Sequence, residues 1–155
     1  MGDREQKLEA AGYPLDRGPK ESPIIDLVSV LGDTVYASGQ VPFDAGVLTS
    51  KGKVPSQVSV EDATKAAALC AANILRALCL KFDSLDRIER VVRVTGYVNA
   101  DPDFADCHLV IHGATNLFKE VFGPDAGRHA RTALGMAQLP LGTSVEVEAI
   151  FQLRK

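Results

Sequence analysis

His108 and His112 stand four residues apart in a stretch with helical character, which puts both imidazoles on one face, as two metal ligands would require. Leu109 follows the first histidine where an HExxH site needs an acid, and no third ligand presents itself, so no metal is expected. Cys107 adjoins His108, a thiol beside a base. Adjacent helical residues point about 100° apart, so the pair does not meet as nucleophile and base. Glycines 39, 46 and 52 lack the spacing of a phosphate loop. By residue type alone, Arg131 at a strand start reads as a surface ion-pair partner. Glu146, alternating with Val145 and Val147, reads as a solvent-facing strand residue.

The chain that must position these groups has 155 residues, enough for one domain burying roughly 70% of its unfolded surface. Hydrophobic residues make up 46% and charged residues 24%, which is ordinary globular usage. Net charge is -3 and basic residues do not cluster, so nucleic acid is not an expected partner. No apolar run reaches the ~18 residues of a membrane span, and no membrane association is expected. The charged start, MGDREQKLEA, has no apolar signal core, and Gln6 breaks a myristoylation pattern. Cys70, Cys79 and Cys107 are odd in number and form no CxxC pair. They read as structural thiols in a reducing compartment, with a cytoplasmic location as the expectation.

Residues 1–22 read as an N-terminal extension, a short amphipathic helix near Arg4–Ala11 followed by a Gly/Pro-rich link, and residues 23–155 as the folded domain. Ile24–Leu31 and Thr34–Val41 flank a Gly32-Asp33 turn and predict a hairpin. Pro42–Gly52 reads as a loop, with a short edge strand near Lys53–Pro55. Ser59 caps a helix over Val60–Leu80, with Asp62 three residues on. Ile88–Val98 is β-branched and half-apolar, a strand. Asp101-Pro102 predicts the start of a second helix that stops at Gly123-Pro124. Ala130–Leu139 and Ser144–Leu153 read as strands around a Pro140-Leu141-Gly142 turn. The order predicts an α+β fold, a mixed sheet with two helices on one face. The other face is expected to be rich in Val and Leu, and oligomerisation would cover it.

Two stretches now carry a family likeness. Tyr36-Ala37-Ser38-Gly39-Gln40-Val41-Pro42 resembles an "SGQxP" strand segment. His129-Ala130-Arg131-Thr132, then Ala137-Gln138-Leu139-Pro140, then Val145-Glu146-Val147-Glu148-Ala149-Ile150 resembles an "AR[ST]…LP…VEIEAIA" signature, ungapped from the arginine to the glutamate. Over about residues 24–155 the chain resembles the RidA/YjgF (endoribonuclease L-PSP) family, as a divergent member with an N-terminal extension. The resemblance implies a chorismate-mutase-like homotrimer with sheets packed together and clefts between subunits that bind small carboxylates or 2-ketoacids. It implies an enamine/imine deaminase, a hydrolase needing no metal or organic cofactor. The alternative is a non-catalytic metabolite-binding trimer. RNA cleavage, the meaning of the older family name, fits poorly with the net charge of -3.

By that resemblance Arg131 grips the substrate carboxylate and Glu146 handles the attacking water or its proton. Ser38 and Gly39 line the pocket with backbone, and Asn116, with Thr115 and His108 as alternates, stands for an asparagine on the second helix. The chain departs from the pattern at Ile25, where active deaminases carry a tyrosine, and at Ala133, where a cysteine usually follows the arginine by two residues. Both departures bear on substrate and catalysis, not on the fold.

Overall fold

The computed structural model describes residues 1–155. Helix α1 (Asp3–Ala10) leads through an irregular link to strands β1 (Val28–Leu31) and β2 (Thr34–Gln40). A small hairpin, β3 (Phe43–Asp44) and β4 (Val47–Leu48), precedes the long helix α2 (Val60–Phe82). Strand β5 (Ile88–Asn99), helix α3 (Cys107–Phe122), and strands β6 (Ala130–Met136) and β7 (Val145–Leu153) complete the chain. The main sheet has the order β1-β2-β7-β5-β6, antiparallel except for the β5–β6 pair. Helices α2 and α3 pack together on one face, as the element order predicts.

The alternation of β7 explains the layering. Val145, Val147, Ala149 and Phe151 point into the helical layer and are buried, while Glu146, Glu148, Ile150 and Gln152 point the other way. Helix α2 starts where Ser59 Oγ accepts from Asp62 N (3.1 Å), the predicted cap. Its small residues let α3 approach closely. A Cβ on Gly113 would sit 1.9 Å from the Thr64 carbonyl oxygen. By length and composition α2 is apolar enough to cross a membrane, contrary to the expectation that no apolar stretch is long enough. Of its most apolar 18-residue window, 67% is buried within this fold.

Several boundaries move from the sequence-based expectation, each for a local reason. The first strand begins at Val28, not Ile24, because Ser22 Oγ accepts from Ile24 N (3.2 Å) and Ile25 N (3.4 Å) and bends the chain there. The second long helix begins at Cys107 rather than after Asp101. Both Asp101 carboxylate oxygens are taken by Ser56, from its backbone N (2.8 Å) and its Oγ (2.9 Å). Near Lys53–Pro55 there is no strand, only a bridge from Val54 to Ala100. The expectation of an open sheet face rich in Val and Leu is corrected. Val94, Val98 and their neighbours turn toward the helices, and Tyr36, Arg93, Thr95, Tyr97, Glu146 and Glu148 lie on the open side.

Residues 1–22 are tied to the domain. Leu8 is fully buried, and Arg4 donates through Nη1 to the carbonyls of Leu85 (3.0 Å) and Ile88 while its guanidinium lies 4.6 Å from the Phe122 ring centroid. Glu5 accepts from Ser84 Oγ (3.0 Å) and Leu85 N. In the following link Arg17 makes a bidentate pair with Asp44, through Nε (2.8 Å) and Nη2 (2.6 Å).

Candidate functional site

Arg131 is the second residue of β6, paired in parallel register with Val94 of β5. Val94 faces the helical layer, so Arg131 does too, and its guanidinium meets α3. Nη1 donates to His112 Nδ1 (2.9 Å) and to Thr115 Oγ1 (3.2 Å). The protonation pattern follows from the acceptors. His129 Nδ1 lies 2.7 Å from the Gly127 carbonyl, which can only accept, so that nitrogen carries the proton. Burial lowers the His129 pKa and keeps the ring neutral. Nε2 therefore accepts from Thr115 Oγ1 (3.1 Å), whose lone pair receives the Arg131 N–H. His112 must likewise present an unprotonated Nδ1 to Arg131. Burial, then the neighbouring Arg131 and His108, push its pKa down and favour that state.

Arg131 makes no ion pair within the chain; every salt bridge joins other residues. Burial lowers its pKa, but a guanidinium stays protonated at any working pH. A half-buried cation held by a neutral imidazole and a hydroxyl has unspent capacity for an anion. A planar carboxylate matches its fork.

Glu146 is the second residue of β7 and stands opposite Tyr97 of β5, on the open face. Gly39 makes room for it, since a Cβ there would meet Glu146 Oε1 at 2.4 Å. Burial, then repulsion from Glu148, raises its pKa above the ordinary carboxylate value. Ser38 and Gly39 lie where β2 slips register against β7, between the Ala37–Ala149 and Gln40–Val147 pairs. Three steps on β2 there match two on β7, a bulge of one residue. The Ser38 hydroxyl is not free: it donates to the Asp26 carbonyl (2.6 Å), while Ser38 N donates to Leu27 O (2.9 Å). With the hydroxyl proton and the N–H both spent, Ser38 offers a pocket no free donor.

The structure brings Glu146 and Gly39 together, but not Glu146 and Arg131. Within one chain those two occupy opposite faces of the sheet. Asn116 does not reach Arg131 either; it is exposed, one residue around the helix from Thr115, which makes the contact. Thr115 and His112 are the residues that the resemblance did not bring forward as first choices. The helical spacing 108, 112, 115 puts all three on one face and was the available signal. Ile25 is 57% exposed beside a cleft of ≈ 280 Å³ with Leu80 and Lys81, on neither side of the Arg131 network.

The comparisons with known proteins bear directly on this arrangement. The family profile "Endoribonuclease L-PSP" matches residues 23–152. The chain belongs to that family, also called RidA/YjgF. A curated relative, Protein TCP17 of Trypanosoma cruzi, is 37% identical over 136 residues, covering 85% of this chain and 84% of the relative. A protein of unknown function from Agrobacterium tumefaciens is 39% identical with a TM-score of 0.87, over 97% of this chain and 92% of its own. A Shewanella oneidensis structure provisionally named an endoribonuclease is 27% identical with a TM-score of 0.91, over 98% and 100% of the two chains. The α+β architecture, with its five-stranded mixed sheet, is the chorismate-mutase-like fold of this family. Residues 1–22 precede the family match, but the Agrobacterium and Shewanella structures cover 97% and 98% of this chain, so most of the extension has a counterpart in them.

Proposed function

We propose that this protein hydrolyses small amino-acid-derived enamines or imines, with Arg131 anchoring the substrate carboxylate and Glu146 managing the proton. The observation that carries the reading is the half-buried Arg131 guanidinium with no carboxylate partner. In the reaction, water adds to the imine carbon, the C–N bond breaks, and ammonia leaves a carbonyl behind. Fixing the carboxylate beside an already electrophilic carbon supplies most of what is needed. A carboxyl group whose pKa is raised toward neutrality is suited to pass the proton. E. coli TdcF, 22% identical and alike in fold, was solved with serine bound, a small amino acid of the carboxylate class proposed here.

Because Arg131 and Glu146 face opposite ways, the cleft must be completed by a second copy of the chain, and a homotrimer is the assembly we propose. Strand β6 supports this. It is an edge strand, paired only with β5, and carries exposed Leu134 and Met136 beyond Arg131. An apolar, uncovered edge is a surface that proteins normally pair or protect.

The separation of the two residues also favours a second reading, a binding module that holds a 2-ketoacid at Arg131 without turnover. The deciding experiment follows the decay of enzymatically generated 2-aminoacrylate with wild type, Arg131→Ala and Glu146→Gln. Acceleration by wild type, lost in both variants, supports the deaminase. No acceleration by wild type, with calorimetric 2-ketoacid binding abolished in Arg131→Ala, supports the binding module. Monomeric mass in light scattering at micromolar concentration would sink the shared cleft in either case.

A further inference from the structure

Around Arg131 the side chains supply more cation-capable groups than one carboxylate needs. His112 Nδ1 is 2.9 Å from Arg131 Nη1, and the His108 and His112 rings meet edge to face with centroids 6.1 Å apart. His108 and His112 are both exposed. The charged groups acting on His112 are Arg131, from β6, and His108, one turn back on α3; no carboxylate is among them. His129 lies behind Thr115, with the cationic Lys119 as a neighbour. Neither imidazole is spent on a structural carbonyl, in contrast to His129, whose Nδ1 is fixed by Gly127.

We infer that this cluster selects small dianions, so that the preferred ligand bears a second acidic group beside the carboxylate gripped by Arg131. The inference rests on the carboxylate-binding reading of Arg131 and names the substrate class within it. The hydrogen-bond pattern supplies the mechanism. In the free protein His112 accepts from Arg131, which holds the guanidinium against α3. A protonated His112 can no longer accept, so both groups present N–H to the ligand. Partial desolvation and the neighbouring cations favour the neutral ring without ligand, and a bound dianion reverses that balance. Binding therefore takes up a proton, and affinity rises as pH falls. The second acidic group is a carboxylate or a phosphoryl group; the chemistry shared by the two is the double negative charge.

The test is isothermal titration calorimetry of the full chain with pyruvate, 2-oxoglutarate and phosphoglycolate at pH 6 and pH 8. At pH 6 at least one dianion should bind about fivefold tighter than pyruvate, the scale of one well-placed exposed charge pair. The advantage should shrink by pH 8. Runs in two buffers of different ionisation heat should show proton uptake with the dianion. His108→Gln and His112→Gln should each lower the ratio of dianion to pyruvate affinity. Tighter 2-oxoglutarate or tighter phosphoglycolate would identify the second group as carboxylate or phosphoryl. Pyruvate binding that depends on Arg131, with no dianion preference at either pH, overturns the inference and leaves the carboxylate anchor standing. No Arg131-dependent binding of any of the three overturns both.

Discussion

Replacing Gly39 by alanine would build a methyl carbon 2.4 Å from Glu146 Oε1, 3.1 Å from its Cδ and 3.4 Å from its Cγ. The Gly39 backbone is outside the left-handed region, so alanine brings no strain of its own. The obstructed group is the end of a flexible side chain, and it can swing away. The sheet should therefore hold, with a melting temperature within about 2 °C of wild type. The carboxylate should not stay in place. An acid–base group contributes roughly 10²- to 10⁴-fold, and a displacement of about 1 Å can cost about 10²-fold. Gly39→Ala should therefore lower kcat/KM for 2-aminoacrylate hydrolysis by about 100-fold. A second readout does not need turnover. Pushed toward water, the Glu146 carboxyl should lose its burial, and its raised pKa should fall back toward the ordinary 4.5, seen by carboxyl-carbon NMR. An unchanged Glu146 titration would refute the packing of Glu146 against Gly39. Full activity in both Gly39→Ala and Glu146→Gln would refute Glu146 as the proton-handling group.

Glu146→Gln should raise stability at pH 7 by ~0.5 kcal/mol once solvent screening is allowed for. The raised pKa means that the stability associated with the carboxyl is present below about 4.5 and lost as pH rises through the folded value. The difference between variant and wild type in urea unfolding should thus vanish near pH 4, and a larger difference at pH 4 than at pH 7 would reverse the sign. Arg4→Ala should cost about 2–4 kcal/mol, because it removes two charge-assisted bonds to the Leu85 and Ile88 carbonyls and the cover on Phe122. A loss under ~0.5 kcal/mol by urea unfolding would mean that α1 is only loosely attached. Gly113→Ala should cost about 3 kcal/mol, since the obstacle at 1.9 Å is the Thr64 backbone carbonyl and helices α2 and α3 must move apart. A wild-type midpoint would show that the two helices slide freely.

The elements whose stop and start signals act locally were legible in the sequence. Ser59, Gly123 and the alternation of β7 place the first long helix, the end of the second and the last strand within a few residues. Expectation fails where a polar side chain has two uses. Asp101 looks like a helix cap and instead holds Ser56, 45 residues earlier in the chain. Ser22 bends Ile24 and Ile25 out of a strand that their β-branched character favours. The docking of α1 was hidden for the same reason: Arg4 and Glu5 look like solvated charges, yet both are buried on backbone partners around Leu85.

The site divides along the same line. Its backbone part was legible, because Ser38-Gly39 sits in a strand and its glycine answers a side chain on the neighbouring strand. Its polar part was not, because the choice between Thr115 and Asn116 is a rotation of one residue on α3, about 100°. That angle decides more than a name. With Thr115 inward, His112 is brought to the same guanidinium, and an arginine that the family resemblance makes an anchor becomes one end of a line of three cation-capable groups. Glu146, on the far side of the sheet, belongs to a different surface of the same chain. The catalytic cleft we propose would thus be a property of the assembly, whereas the cluster around Arg131 lies within the single chain. The two can be tested apart: concentration should govern enamine hydrolysis, through association, while dianion binding at Arg131 should persist in a monomer.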